Sequence, residues 1–406
     1  MKVIQINAIY GSKSTGTIMR DIQSYSEASN MEAYVAYSIA DRPDSEVPRG
    51  YRIGNVMTAK WAALFSRIIG KQAYANHFTT WLFLRWLKRI QPSVVHLHNL
   101  HSNFIHLNML LRFLAKHDIA TVVTMHDCWY YTGGCMHYTT IGCDRWKTGC
   151  GHCPKRSQIP SYFFDMSERV LKDRIRYLCA IPRLVMVGAS EWIANELRAS
   201  QLNRLSTRFI HNGFDVSIYS PTASSKRTEL GIDNKFVLIG PANKWLLPIN
   251  NTTFEYFVSH MSDDMVLVLF GYSGNDINLP LNVKCLGYTS SRKEMAEIYS
   301  MADVMVNCSR EDTLSSLNLE CQACGTPVVT YDATGSKETV DGVSGFMVPT
   351  GEYKVLFEKV LGIKRVGKSS LGKLCREWII GNFNKEDAFM KYINLYKELD
   401  KSNSLQ

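Results

Sequence analysis

Short apolar, β-rich runs alternate with longer stretches of helical periodicity along almost the whole chain. In the first half, residues 3–6, 32–37, 93–97, 120–124, 184–188 and 208–210 read as strands. In the second half, residues 236–240, 265–271, 283–286, 304–308, 327–330 and 345–348 do the same. Between them, residues 79–89, 105–116, 191–200, 292–300 and 316–323 carry helical spacing. Repeated β–α alternation points to parallel sheets covered by helices on both faces. Two series of about six strands each predict an α/β protein with two doubly wound, Rossmann-like domains. Pro221 and a Thr/Ser-rich stretch place the break at 215–225. The expected domains are therefore 1–215 and 216–384, with a C-terminal helix at 385–406 packing back on the first.

Composition narrows this picture. Of 406 residues, 46% are hydrophobic and 20% charged, which excludes a disordered or collagen-like chain. The formal charge of +9 is unevenly spread. Residues 1–190 hold 23 Lys+Arg against 12 Asp+Glu, and residues 191–406 hold 23 against 25. The first half is thus strongly basic and the second near neutral, so the two are expected to meet different partners. No apolar run approaches the roughly 18 residues of a membrane span. The first residues read as a strand rather than a signal peptide, which places the chain in the cytoplasm. There are 11 cysteines, five of them between Cys128 and Cys153. In a reducing compartment that cluster suggests metal ligands or buried thiols before disulfides.

In doubly wound sheets ligands bind beyond the carboxyl ends of the strands, so the loops there are the places to look. The first, residues 10–17, is rich in Gly and hydroxyl residues and contains Gly16, ahead of a helix expected from about residue 18. It matches neither a dinucleotide fingerprint nor a Walker loop. The strand at 93–97 runs into His98, Asn99 and His101, and the strand at 120–124 into His126, Asp127 and Trp129. A His-Asp step past a strand end can aim an imidazole at a polyhydroxylated ligand; a capping Asp beside a packed His is its plainer reading. In the second half, Arg310, Glu311 and Asp312 follow a strand, and Glu320 lies eight residues beyond Asp312 in a helix opened by Ser315 and Ser316. A loop carboxylate can hold sugar hydroxyls, a helical one a ribose diol, and the helix N-terminus a diphosphate.

Taken in order, these elements resemble glycosyltransferase family 4. The family's Glu-x7-Glu element looks like Asp312 to Glu320, with Glu311 just before it. His126-Asp127 resembles its sugar-site histidine, His211-Asn212-Gly213-Phe214-Asp215 its junction segment, and Gly16 its N-terminal glycine loop. Ala296-Glu297-Ile298-Tyr299 followed by Ala302-Asp303-Val304 is similar to the stretch before its acidic loop. The segment from Asp127 to Pro154 looks like a subgroup that builds bacterial O-antigens, capsules and exopolysaccharides. The resemblance implies the GT-B fold, two such domains facing across a cleft, and retaining transfer from a nucleotide-sugar. Its acceptor would be a glycan on a lipid diphosphate at the inner membrane face, so the chain would be peripherally bound there.

The resemblance also assigns roles. Glu320 would hold the ribose, Asp312 or Glu311 the donor sugar, and His126 would meet that sugar from the first domain, whose closure excludes water. His98, Asn99, His101, Asp127 and Trp129 would lie on the acceptor side. Where the family carries an Arg-Lys step for the diphosphate, this chain has Pro248 and Ile249, leaving Lys244 or Arg310 to replace it. The later Gly-Gly turn is reduced to Thr334-Gly335-Ser336. No Asp-x-Asp occurs, so no metal or other cofactor is expected in catalysis. Cys135, Cys143, Cys150 and Cys153 have a spacing that suits either a structural zinc or packed free thiols. The helix at 79–89, with Arg85, Lys88 and Arg89 on one face, is a core helix with a solvated basic edge or a contact for anionic lipid. Two other functions compete. One is a catalytically silent sugar-nucleotide-binding relative. The other is a zinc-containing nucleic-acid-binding protein, which leaves the Asp312–Glu320 element unexplained, so no nucleic acid is expected as partner.

Overall fold

The computed structural model describes residues 1–157, 162–274 and 279–401. The chain divides into two compact units, residues 1–212 with 386–406, and residues 213–385. The first unit is built on a seven-stranded parallel sheet. Its strands are β1 (Lys2–Ile6), β2 (Glu32–Tyr37), β3 (Gly50–Arg52), β4 (Val94–Leu97), β5 (Ala120–Met125), β6 (Leu184–Gly188) and β7 (Ser206–Phe209). They lie in the order β3-β2-β1-β4-β5-β6-β7, so the winding reverses between β1 and β4. Both faces of the central strands are covered, which is why β4 and β5 read as unbroken buried runs.

Alternate residues sort to the two faces. Ile4, Val95 and Val123 enter one core, while Val3, Val94 and Val122 enter the other. Among the described residues of 1–212, the α-helices are α1 (Lys13–Ala28), α2 (Val56–Ile69), α3 (His77–Ile90), α4 (Leu107–Lys116), α5 (Ser167–Leu178) and α6 (Glu191–Arg198).

The second unit repeats the pattern with β8 (Phe236–Pro241), β9 (Met265–Tyr272), β10 (Val283–Gly287), β11 (Val304–Asn307), β12 (Val328–Tyr331) and β13 (Phe346–Val348). Their order is β10-β9-β8-β11-β12-β13, all parallel, with the reversal between β8 and β11. Its helices are α7 (Lys226–Leu230), α8 (Ala242–Trp245), α9 (Asn251–His260), α10 (Arg292–Met301), α11 (Ser316–Ala323), α12 (Tyr353–Val366) and α13 (Lys368–Phe383).

The last helix, α14 (Lys385–Lys401), lies against the first sheet. Phe389, Tyr392, Ile393 and Tyr396 follow i, i+3, i+4, i+7 spacing and pack with Val3, Val94 and Val122. Its tyrosines also satisfy buried polar groups of the sheet. Tyr396 meets His96 Nδ1 at 2.6 Å and Tyr392 meets Thr124 Oγ1 at 2.9 Å.

Three details differ from the pattern-based expectation. The first long helix begins at Lys13, directly after Ser12 in extended backbone, so Gly16 lies in the first turn of α1 rather than in a loop. Helix α2 went unread, since apolar residues occupy its exposed face as well as its buried one. The unit boundary falls at 212/213. Asp215 belongs to the second unit, where Lys385 and Ser217 bind its carboxylate. Those bonds outweigh burial and hold its pKa down to about 2.

Truncating Phe389 to Ala should remove about 3–5 kcal/mol from the first unit. Calorimetry should show its transition falling, with the half-exposed neighbour Met390→Ala near neutral; equal effects would contradict this packing.

Candidate functional site

In the first unit the fork between β1 and β4 is closed by a buried amide. Asn7 accepts the Asn99 N–H at 3.2 Å and donates to the Ile9 carbonyl at 2.8 Å. It also reaches Thr15 at 3.3 Å, tying both strand ends to the start of α1. Gly16 adds to this knot, accepting the Gly11 N–H at 2.9 Å and packing so closely on Ile9 that a Cβ would meet it at 3.1 Å.

Next to it runs a chain of buried rings. Gln5 Nε2 donates to the Met19 carbonyl at 3.0 Å, so its Oε1 accepts from His98 Nε2 at 3.1 Å. With that nitrogen protonated, His98 Nδ1 accepts from His126 Nε2 at 3.1 Å. The network therefore assigns His126 the Nε2–H tautomer and leaves Nδ1 an acceptor, with no protein partner among the described residues. Burial pushes His98 well below its usual range and His126 down to about 4, so both rings are neutral near pH 7. A neutral acceptor nitrogen at a strand end suits a sugar hydroxyl.

The expected acceptor-side residues separate into two kinds. Asn99 and His101 are half-buried at the strand ends. Asp127 accepts the Trp129 N–H at 2.9 Å and meets His101 Nε2 at 3.1 Å. Burial raises its carboxyl, but those partners outweigh burial and hold it below the usual carboxylate range. His98 and Trp129 face inward instead. Trp129 is fully buried, donates to Gln72 at 2.9 Å and carries the Arg174 guanidinium 3.6 Å from its ring centroid. It shapes the loop from beneath, a correction to its expected place among the acceptor-side residues. Arg174 is itself buried and donates to the Thr132 carbonyl at 2.6 Å, bracing the same loop.

The cysteine segment folds over this loop. Cys150 Sγ accepts the Gly133 N–H at 3.2 Å, and burial pushes its thiol up to about 11. Cys135 donates to Cys153, which raises the first thiol and lowers the second. All eleven cysteines are free. Among the described residues, no three His, Cys, Asp or Glu side chains form a metal-ligand group. Cys135, Cys143, Cys150 and Cys153 are neighbours here rather than a closed ligand set.

In the second unit the fork lies between β8 and β11. Asn250 donates to the Lys244 and Cys308 carbonyls, each at 3.0 Å, and accepts from Arg310 Nε at 3.0 Å. Arg310 Nη2 adds a bond to the Ile249 carbonyl at 3.1 Å. Lys244 and Arg310 both act on the Cys308 thiol, although burial still pushes it up to about 12. The two cations thus flank one strand end.

Beyond it, Asp312 is pinned through its backbone, with its N–H on Thr334 Oγ1 at 2.9 Å and its carbonyl on the Gly335 N–H at 3.0 Å. Glu311 is held through its carbonyl by Ser309 at 3.0 Å. Ser315 is buried and bonded to Asn307 at 3.1 Å, so of the two serines Ser316 is the exposed one. Glu320 accepts from Tyr299 at 3.0 Å and interacts with Ser316, Tyr219 and Arg292. Burial nevertheless pushes its carboxyl up to about 7.

Pattern reading missed Gln5, Asn7, Asn250, Tyr219 and Arg174. Gln5 and Asn7 alone carried a signal, as amides inside or just past an apolar strand.

Residues 39–218 match Glycosyltransferase Family 4, and residues 255–364 match Glycosyl transferases group 1. Each half of the chain thus contains a segment that matches a glycosyltransferase domain. WcaC of Escherichia coli K12, assigned to glycosyl transfer in colanic acid biosynthesis, is 22% identical over 366 residues, 84% of this chain and 85% of that one. Sucrose-phosphate synthase from Thermosynechococcus elongatus has a TM-score of 0.71 at 16% identity, covering 99% of both chains. HepE from Anabaena, solved with UDP, has a TM-score of 0.66 at 15% identity, covering 98% of this chain and all of that one. The fold of this glycosyltransferase is therefore GT-B, with two parallel-sheet α/β domains.

The tautomer assignment is open to direct measurement. In protein labelled with 15N-histidine, long-range proton–nitrogen spectra should show His126 protonated on Nε2 alone from pH 6 to 8. Gln5→Leu should populate both tautomers. An Nδ1–H signal in the unaltered protein would contradict the chain of bonds.

Proposed function

We propose that this glycosyltransferase moves a sugar from a nucleotide-sugar, with retention of configuration, onto a lipid-linked glycan. The product serves a bacterial surface polysaccharide such as an O-antigen, capsule or exopolysaccharide. The observation that carries the donor assignment is the fork of the second unit. There two cations, an open helix N-terminus and a half-buried carboxyl follow adjacent strands. Support for the chemistry comes from HepE, solved with UDP, and support for the pathway from WcaC.

In this reading Lys244, Arg310 and the N-terminus of α11 at Ser315 and Ser316 take the diphosphate. Glu320 accepts the ribose hydroxyls and Asp312 with Glu311 holds the donor sugar, while within the first unit His126 Nδ1 is an acceptor for a sugar hydroxyl. The acceptor oxygen bonds to the anomeric carbon on the face that the diphosphate leaves. The departing diphosphate takes the acceptor's proton, so no protein nucleophile and no catalytic metal is used. Among the described residues no helix is long and apolar enough to cross a membrane. The basic first half suits a peripheral position at the inner membrane face, where the acceptor lies.

One observation favours the silent relative. Arg310 spends two donors on Asn250 and Ile249, where Pro248 and Ile249 replace the expected cations. Calorimetry against a panel of nucleotide-sugars, followed by transfer to a lipid-diphosphate glycan, separates the readings. Binding with turnover is expected; binding without turnover assigns the silent relative, and no binding overturns both.

Glu320→Ala should weaken donor binding roughly 10- to 100-fold, the scale of a lost charged hydrogen bond. Because the Glu320 pKa is raised to about 7, the carboxylate forms as pH rises from 6 to 8, and donor affinity should increase over that range. A flat profile would contradict the ribose role.

The thiols carry a separate proposal: although the four side chains do not form a closed ligand set here, a structural zinc would draw Cys135, Cys143, Cys150 and Cys153 together and brace the loop after β5. The contact between Cys135 and Cys153, with Cys150 beside them, supports it. Metal analysis should find about one zinc per chain; four freely titrating thiols and no zinc would overturn it.

A further inference from the structure

The apolar side chains left out of the first core gather on one helix face. Along α2, Met57, Trp61, Leu64, Phe65 and Ile68 are all exposed, at spacing i, i+4, i+7, i+8 and i+11. That spacing is a single stripe, opposite the buried Ala62 and Ser66. Trp61 is 67% exposed.

Distant parts of the chain lengthen the stripe at both ends. At the C-terminal end, the Phe163 N–H donates to the Arg67 carbonyl at 3.0 Å. The Phe164 carbonyl packs so closely on Gly70, which has a φ of +70°, that no Cβ would fit. Phe163 and Phe164, 69% and 62% exposed, therefore sit where α2 ends. At the N-terminal end, Gly54 lies against Thr79 of α3, next in sequence to exposed Phe78, whose ring stacks on exposed Trp81 at 6.0 Å between centroids.

Along the segment that carries α2 and α3 the charge has one sign. From Val47 to His117, 71 residues contain ten Lys or Arg and no Asp or Glu. Lys60, Arg67, Arg85, Lys88 and Arg89 are exposed among them. A soluble surface rarely exposes a continuous apolar stripe of this kind without an interaction to serve. Aromatic and aliphatic side chains on a segment whose only charges are cations, with Asp165 turned to Ser167 and the Cys153 N–H beside Phe164, match the boundary between anionic headgroups and acyl chains. At 14 residues, α2 is about 21 Å long and suited to lying along that boundary rather than crossing it.

We propose that α2, extended by Phe163, Phe164 and the first turn of α3, is the surface by which the first unit docks on an anionic bilayer. The inference rests on the lipid-linked acceptor reading for its purpose, and it moves the membrane contact from the basic edge of α3 to α2.

The full chain should cosediment with phosphatidylglycerol-containing vesicles at least tenfold more strongly than with phosphatidylcholine alone, and lose binding as salt rises. Trp61→Glu with Phe65→Glu should cut vesicle binding at least tenfold, with UDP affinity and melting temperature unchanged. Three results would overturn the proposal: no binding to anionic vesicles, binding unchanged in the double variant, or a dimer of the unaltered chain that this variant dissolves. If the unaltered chain binds vesicles through this face yet transfers no sugar even to a water-soluble acceptor, the docking surface stands and the transfer reading falls.

Discussion

Where a parallel sheet reverses its winding, two neighbouring strands send their chains apart, and their last backbone groups lose the partners a continuing ladder would supply. Those groups cannot be left bare in a buried place without a cost of about 1–3 kcal/mol each. Both units meet this constraint with a buried amide. Asn7 spans the fork between β1 and β4, and Asn250 spans the one between β8 and β11. Each amide bonds to main-chain groups following both strands, so the loops that carry the chemistry are fixed by the same bonds that close the sheet.

The two forks then differ in charge. In the first, burial keeps His98 and His126 neutral, and Gln5 directs which nitrogen carries each proton. The result is an uncharged acceptor in a strongly basic unit. In the second, burial works on Glu320 in the opposite sense, holding back its ionisation until near neutrality. Lys244 and Arg310 supply positive charge nearby without the Arg-Lys step, and Arg310 is aimed by the amide that closes the fork. One effect, desolvation, thus prepares a neutral ring in one unit and a poised carboxyl in the other.

Much of the architecture was legible because both sheets are buried on two faces. Continuous runs such as Val94–Leu97 and Val304–Asn307 have no alternative as strands, and the helices between them kept their 3.6-residue spacing. Glu320 and Asp312 were legible through order, since an acid after a strand and another in the next helix survive any error in boundaries. The amides were not. Asn250 looks like one polar residue in a loop, and only its contacts reveal that it joins two strand ends. Trp129 misled for the converse reason, because an aromatic beside His126-Asp127 resembles a ligand platform until its burial under Arg174 is seen. Helix α2 misled through its exposed apolar stripe, which erases the polar face that periodicity needs.

The central claim is that the buried amide sets the geometry of the loops proposed to hold the donor rather than merely completing the sheet. Titrating the Asn250→Ala protein by calorimetry with the nucleotide-sugar that the unaltered chain binds tests it most directly. The account predicts an affinity at least tenfold weaker than that of the unaltered chain, with the circular dichroism spectrum unchanged. Equal affinity in the two proteins would contradict it.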